Sequence, residues 1–362
     1  MLSNHYITQQ IPSELWDLYS DLESDLILAV AAELGSLESF AYAQYLEAQT
    51  ALRAAVAGIG AAAWVKAQVE LSKVMREAAE KHLSGAERIM RAGADAGLLT
   101  KAPALADSPI MNAALELSYR TTRNSLYTLH TKAINVPLEG LENAFFGVQS
   151  GAMSLQEAVK ATVADLAANG IQVAMYPGGR TMELAPYVRM VVRTSVTQST
   201  AELGFIRMDE YGCDLLAVSA HAGARPLCAP YQGKVFSRSG KHPKFPSWSS
   251  TSYGEPAGLL GINCGHFIDP FIEGIDRVLT REERDPALYE LGKDNEDVYE
   301  ESRQQRYYER KIREWKHKTA AFEEAGLDST RAREKVREWQ KTQREFTEWA
   351  GRTRRYDRER AA

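Results

Sequence analysis

Between Ser219 and Pro270 the sequence concentrates side chains that can do chemistry. Two of the three cysteines and three of the seven histidines of the 362-residue chain fall there. The stretch opens Ser219-Ala220-His221-Ala222-Gly223-Ala224-Arg225-Pro226-Leu227-Cys228. It continues through Gln232-Gly233-Lys234-Val235 and closes Gly261-Ile262-Asn263-Cys264-Gly265-His266. Thiolate and imidazole are the usual ligands of zinc, and a thiol is also a nucleophile. His221, Cys228, Cys264 and His266 together supply the two-Cys, two-His set of a structural zinc site, which would staple a loop-rich segment. In extended backbone Cys264 and His266 point to the same face, so both can reach one ion. Their Cys-x-His spacing is tighter than the about two to four intervening residues of common zinc knuckles.

Two other readings compete. In one, the histidines make buried hydrogen bonds and the cysteines are small core residues. In the other, Cys228 or Cys264 is a nucleophile, His221 or His266 its base, and Asn263 an orienting or oxyanion-stabilising group. A zinc-bound water acting on nucleic acid or a peptide bond is the metal variant of that hydrolase. Arg225, fixed by the following proline, offers a fork for a carboxylate, with Glu183 or Asp214 as the expected partner. Gly178-Gly179-Arg180-Thr181 looks like a phosphate-cradling turn but lacks the Lys-Ser/Thr end of a P-loop, so a hairpin turn is expected.

The elements that must position these residues are mostly helical. Pro12-Ser13-Glu14 starts a helix, with Ser13 as its cap and Leu15, Leu18, Leu22, Leu26 and Val30 at helical spacing. A second helix follows Ser36, and Gly58 and Gly60 are expected to break or bend it. Further helices are predicted over 64–82, after Gly85, over 110–133 and over 137–151. Ser154 and Glu157 form a capping box ahead of another. Residues 170–176 then read as a strand, and 186–211 as a helix with valines on one face and Arg189, Arg193, Thr194 and Gln198 on the other. Residues 214–271 are turn-rich, with strand-like runs at 215–219 and 233–237. After Arg281 two amphipathic helices follow, separated by Gly326 and striped with Tyr308, Ile312, Trp315, Trp339 and Phe346.

Bulk properties narrow the function. The net charge of −5 gives no overall attraction to nucleic acid. Residues 1–276 are acidic by roughly seven charges, and the segment after Glu300 is basic by about six. The arginines at 352, 354, 355, 358 and 360 make that end a candidate DNA contact. The longest apolar run is bounded by Arg53 and Lys66 and is too short to span a bilayer. The N-terminus reads as lacking a secretory signal, and three scattered cysteines fit a reducing compartment.

The joined motifs His221-x-Gly223-Ala224-Arg225-Pro226, Gln232-Gly233-Lys234-Val235 and Gly258-Leu259-x-Gly261-x-Asn263-Cys264-x-His266 resemble the phage minor capsid protein 2 family, which is related to the Mu F-like head morphogenesis proteins. Matches continue upstream through Arg180, Arg189, Arg193, Thr194 and Gln198, and downstream through Gln305, Arg306, Glu309, Arg310, Arg313 and Trp315. Two positions depart from the pattern. Cys228 stands where His or Cys occurs, and Gly265 where Arg is frequent. The resemblance implies a mainly α protein with a small α+β module. Its expected parts are an elongated multi-helix region over 1–108, a helical connector over 109–169, a Mu F-like module over 170–276, and a C-terminal helical hairpin over 277–362. It implies Arg180, Arg193, Arg225, Gln232, Lys234 and Asn263 as motif residues. It also implies a structural virion protein in the capsid interior or at the portal vertex, assembled in the host cytoplasm. Expected partners are portal, major capsid or scaffold protein, with several copies per virion and no catalysis; zinc is the cofactor expected from the Cys/His residues themselves.

Overall fold

The computed structural model describes residues 13–105, 108–175 and 181–360. The described chain is mainly helical, with small antiparallel sheets. Its elements in order are α1 (Ser13–Gly35), α2 (Tyr42–Asp95), α3 (Pro109–Gln149), α4 (Leu155–Asn169), β1 (Gln172–Met175), β2 (Thr181–Glu183) and α5 (Leu184–Tyr211). Then come β3 (Leu215–Val218), β4 (Val235–Ser237), β5 (Ile268–Pro270), α6 (Pro286–Leu291), α7 (Asn295–Glu324) and α8 (Thr330–Ala350). No described helix is long and apolar enough to cross a membrane. The chain gathers into two compact units, and the borders fall inside α1, α2, α3, α5 and α7.

One unit contains Glu14–Val69, Ser125–Arg189 and the chain from Arg303. In α1 the predicted stripe is buried at Leu15, Leu22, Leu26 and Val30, each at most 2% exposed. Trp16, Tyr19, Ile27 and Leu34 are buried as well, so the helix is covered well beyond one face. The break expected at Gly58 and Gly60 is not there, and α2 runs unbroken for 54 residues. A β-carbon on Gly60 would lie 2.8 Å from Ile134 Cγ2 and 3.4 Å from His130 Nε2. The glycine lets two helices approach closely, and that packing outweighs a propensity cost of about 1 kcal/mol. Pro137 likewise fails to end α3. Burial of Leu126, Leu129 and Ala133 before it and Leu141 and Phe145 after it holds both flanks in register. The Ser154–Glu157 capping box forms as predicted.

β1 and β2 pair antiparallel, with Ala174 opposite Met182. Residues 176–180, including Arg180 and most of the segment expected to form a hairpin turn, lie outside the described residues. In the C-terminal hairpin, Tyr308 of α7 meets Trp339 and Phe346 of α8 at ring separations of 6.1 and 5.4 Å. Gly326 separates the two helices, as the spacing predicts.

The other unit contains Glu70–Asn124 and Met190–Ser302. Its three-stranded sheet has the order β4-β3-β5, antiparallel throughout. Leu216 on the central strand faces Phe236 on one side and Pro270 on the other. Strand β5, three residues long, lies outside the strand-like runs of the sequence. Ala86 and Met90 of α2 and Ala201, Phe205 and Met208 of α5 pack with this sheet in one hydrophobic core. Trp248, from the turn-rich stretch, is 7% exposed and joins that core. A buried ion network ties α5 to α2. Arg207 is fully buried and donates to both oxygens of Glu87 at 2.7 and 2.9 Å. It also donates to Pro103 O at 2.7 Å and to Glu210.

Glu23 of α1 is buried, and its Oε1 accepts from the Ile171 amide at 2.8 Å. Burial first, and then the neighbouring Glu183 carboxylate, pushes its pKa up to about 8. A carboxyl that holds its proton more tightly when folded favours folding at low pH. That contribution is lost as pH rises from the unfolded value of 4.5 through about 8. Glu23→Gln keeps the acceptor and removes the titration. In thermal unfolding the variant should match the wild type near pH 5 and exceed it at pH 9, by on the order of 1 kcal/mol or more.

Candidate functional site

Cys228, Cys264 and His266 come together in the second of these units. Each offers one ligand atom, and the three atoms lie within 4.8 Å of one another. All three residues are buried, at 1%, 0% and 1% exposure. Cys228 ends the turn that begins at Arg225, its amide donating to Arg225 O at 2.8 Å. Cys264 follows a loop in which Leu260 and Asn263 both take φ of 57°. Asparagine tolerates that left-handed conformation, and it turns the chain so that Cys264 points inward. Cys264 and His266 share a face as predicted, with Sγ 3.5 Å from Nδ1. The His266 amide also approaches Cys264 Sγ at 3.4 Å.

The two thiols stand 3.9 Å apart, and both are free. Their titrations are linked. Cys228 is pushed up, first by its hydrogen bond to Cys264 and then by burial. Cys264 is pushed down, first by that same bond, against burial, and further by His266. The two thiols thus titrate as a pair, with Cys264 the more acidic partner. Cys213 stands apart from the pair, and burial raises it to about 11.

His221 is outside the three-residue group. Its ring lies 4.4 Å from that of His266, and its Nδ1 is 3.1 Å from Ala222 O. Gln232 is buried and sits between the two histidines. Its Oε1 accepts from the His221 amide at 3.2 Å and lies 3.4 Å from His266 Nε2. The tautomer that satisfies Gln232 places the His266 proton on Nε2. The Nδ1 lone pair then faces the thiols. Lys234 is exposed and serves the site through its backbone, its carbonyl accepting from Val218 N at 3.0 Å.

Arg225 overturns the expected carboxylate pairing. Its guanidinium donates to Ile262 O at 2.8 Å and Gly258 O at 3.2 Å, and lies 3.8 Å from Cys228 Sγ. The loop holding Cys264 lacks regular structure, so its carbonyls need outside donors, and the fork supplies two. Asp214 is occupied instead by Ser237 and the Ser239 amide. Glu183 faces Arg313 at 3.6 Å.

The polar face of α5 braces the same loop. Thr194 Oγ1 accepts from the Asn263 amide at 2.8 Å, and Gln198 Nε2 donates to Leu260 O at 3.3 Å. Arg193 comes close to Gly265, where a β-carbon would lie 2.9 Å from its Nη2 and 3.0 Å from His221 Nε2. The space that a side chain at Gly265 would fill is thus used by these two groups. Asn295, at the start of α7, clamps Ala224 from both sides, accepting from its amide at 2.9 Å and donating to its carbonyl at 2.7 Å. Asn295 and Ser252 were not visible as site residues in the sequence. Ser252 holds Leu227 O at 2.6 Å and the Leu259 amide at 3.1 Å.

The C-terminal arginines offered for DNA are engaged within the chain. Arg354 pairs with Glu359 through two bonds of 2.6 and 2.5 Å, and Arg355 with Asp357 through two of 3.0 Å. Arg352 donates to Gln305 at 2.7 Å, Arg358 lies 3.9 Å from Glu309, and Arg360 lies 3.4 Å from Asp21.

Comparison with known proteins supplies what the fold alone does not. The chain is 29% identical over 200 residues to a "Structural protein" of Lactococcus phage LL-H, covering 54% of this chain and 52% of that protein. It is 36% identical over 85 residues to a "Structural protein" of Lactococcus phage mv4, covering 24% of this chain and 63% of that one. The matches thus span about half to under two thirds of these curated relatives. No solved structure matches. The profile of phage minor capsid protein 2 matches residues 3–348, and the chain belongs to that family.

The loop geometry makes two glycines unequal. At Gly258 a β-carbon would meet the Ser252 carbonyl oxygen at 1.9 Å, a backbone group with no room to yield. At Gly265 it would meet only the ends of flexible side chains. In urea unfolding Gly258→Ala should cost about 3 kcal/mol or more, and Gly265→Ala about 1 kcal/mol or less.

Proposed function

We propose that this chain is a minor structural component of a phage particle, placed inside the head at or near the portal vertex. There it assists capsid assembly or DNA packaging or ejection. The family match across residues 3–348 carries the reading. The names of the two phage relatives support its structural character. Several copies serve each particle, and portal, major capsid or scaffold protein is the partner.

The surface chemistry favours protein over DNA as that partner. The C-terminal arginines are held by acidic and amide groups of the same chain. The hairpin meanwhile exposes aromatic area, with Trp349 at 76% and Tyr307 at 38%. Exposed aromatics with charged surroundings are common material for protein interfaces. Burial of the three thiols weighs against a cysteine hydrolase, because a reactive cysteine needs access to its substrate.

Quantitative mass spectrometry of gradient-purified particles tests the placement. The chain should be present at low copy relative to the major capsid protein, and it should persist in particles emptied of DNA. Its absence from both proheads and mature particles would end the reading. Trp349→Ala should leave the circular dichroism spectrum unchanged and lower incorporation by several-fold.

A further inference from the structure

We infer that Cys228, Cys264 and His266 hold one zinc ion in the unit built from Glu70–Asn124 and Met190–Ser302. The geometry points there directly. With Zn–S about 2.3 Å and Zn–N about 2.0 Å, a tetrahedral site has edges of about 3.8 Å between sulfurs and about 3.5 Å between sulfur and nitrogen. The observed Sγ–Sγ distance is 3.9 Å, and Sγ of Cys264 lies 3.5 Å from Nδ1 of His266. Two of the three edges thus already stand at tetrahedral spacing, and all three donor atoms lie within 4.8 Å of one another. A disulfide would need the sulfurs at about 2.0 Å, far closer than they stand.

The surroundings fit a ligand set. Gln232 Oε1 faces His266 Nε2, which orients the ring and leaves Nδ1 free to donate its lone pair. The His266 amide points at Cys264 Sγ, the kind of bond that stabilises a bound thiolate. Arg225 lies 3.8 Å from Cys228 Sγ and offsets the negative charge that two thiolates would bring. His221, with its ring beside that of His266, is the imidazole at hand to complete the tetrahedron. Two thiolates and a neutral imidazole select zinc over the harder cations, magnesium and calcium. The site joins loops at 228 and 264–266 whose own secondary structure is slight, so the ion acts as a staple. It would be present whatever the partner of the protein in the particle.

Elemental analysis of the full chain, purified from zinc-supplemented culture and dialysed against metal-free buffer, should give one zinc per chain. Cys228→Ser and Cys264→Ser should bring it to near zero, and Cys213→Ser should leave it at one. A variant that fails to fold is bypassed by the wild type itself. Cobalt substituted for zinc should show thiolate-to-metal charge-transfer absorption, and a mercurial reagent should release one metal per chain. Folded wild-type protein without zinc, with all three thiols titrating as free or with Cys228 joined to Cys264, would overturn the site. Zinc retained in both the Cys228→Ser and Cys264→Ser variants would do the same.

Discussion

The module around Cys228 and Cys264 depends on one guanidinium. Regular elements satisfy their own backbone groups, whereas the loop from Gly258 to Ile262 closes only short turn bonds of its own. Arg225 reaches back from a neighbouring turn and donates to Ile262 O and to Gly258 O, the latter also taken by the Gly261 amide. Thr194 and Gln198 finish the task from the helix side. With the loop fixed at both ends of its span, Asn263 holds its left-handed turn and Cys264 is aimed at Cys228. The arginine thus acts on the thiols chiefly through the backbone that presents them.

Much of the architecture was legible because it rests on local rules. The Ser154–Glu157 box, the helix that begins near Leu184, and the two amphipathic helices after Arg281 all follow from residue spacing. The strands at 215–218 and 235–237 follow from short β-branched and apolar runs. What the sequence concealed depends on partners distant along the chain. Gly60 reads as a breaker until Ile134 is placed against it. Pro137 reads as a helix start until both of its flanks are buried. Arg207 looks like any surface arginine on a helix, yet Glu87, 120 positions away, draws it fully inside.

The candidate site divides the same way. Cys264 and His266 were placed together by the two-residue repeat of extended backbone, and the structure brings them within 3.5 Å. Cys228 joined them on composition alone, and the fold supplies the approach. His221 belongs to the neighbourhood, although it stands outside the tight group. Charge counting at the C-terminus leaves out pairing for a related reason. The arginines there sum to a basic tail in sequence, whereas in space most of them face a carboxylate.

The unit that holds the thiols is discontinuous along the chain, and this constrains how the protein can be made or cut. Its core takes Ala86 and Met90 from a helix that precedes the sheet by more than a hundred positions, and its turn at Ala224 is clasped by Asn295. A ribosome must deliver both ends before that interior can close. An excised fragment covering only the sheet and its loops would leave a greasy face uncovered, so trimming from the N-terminal side is a route to insolubility rather than to a minimal domain.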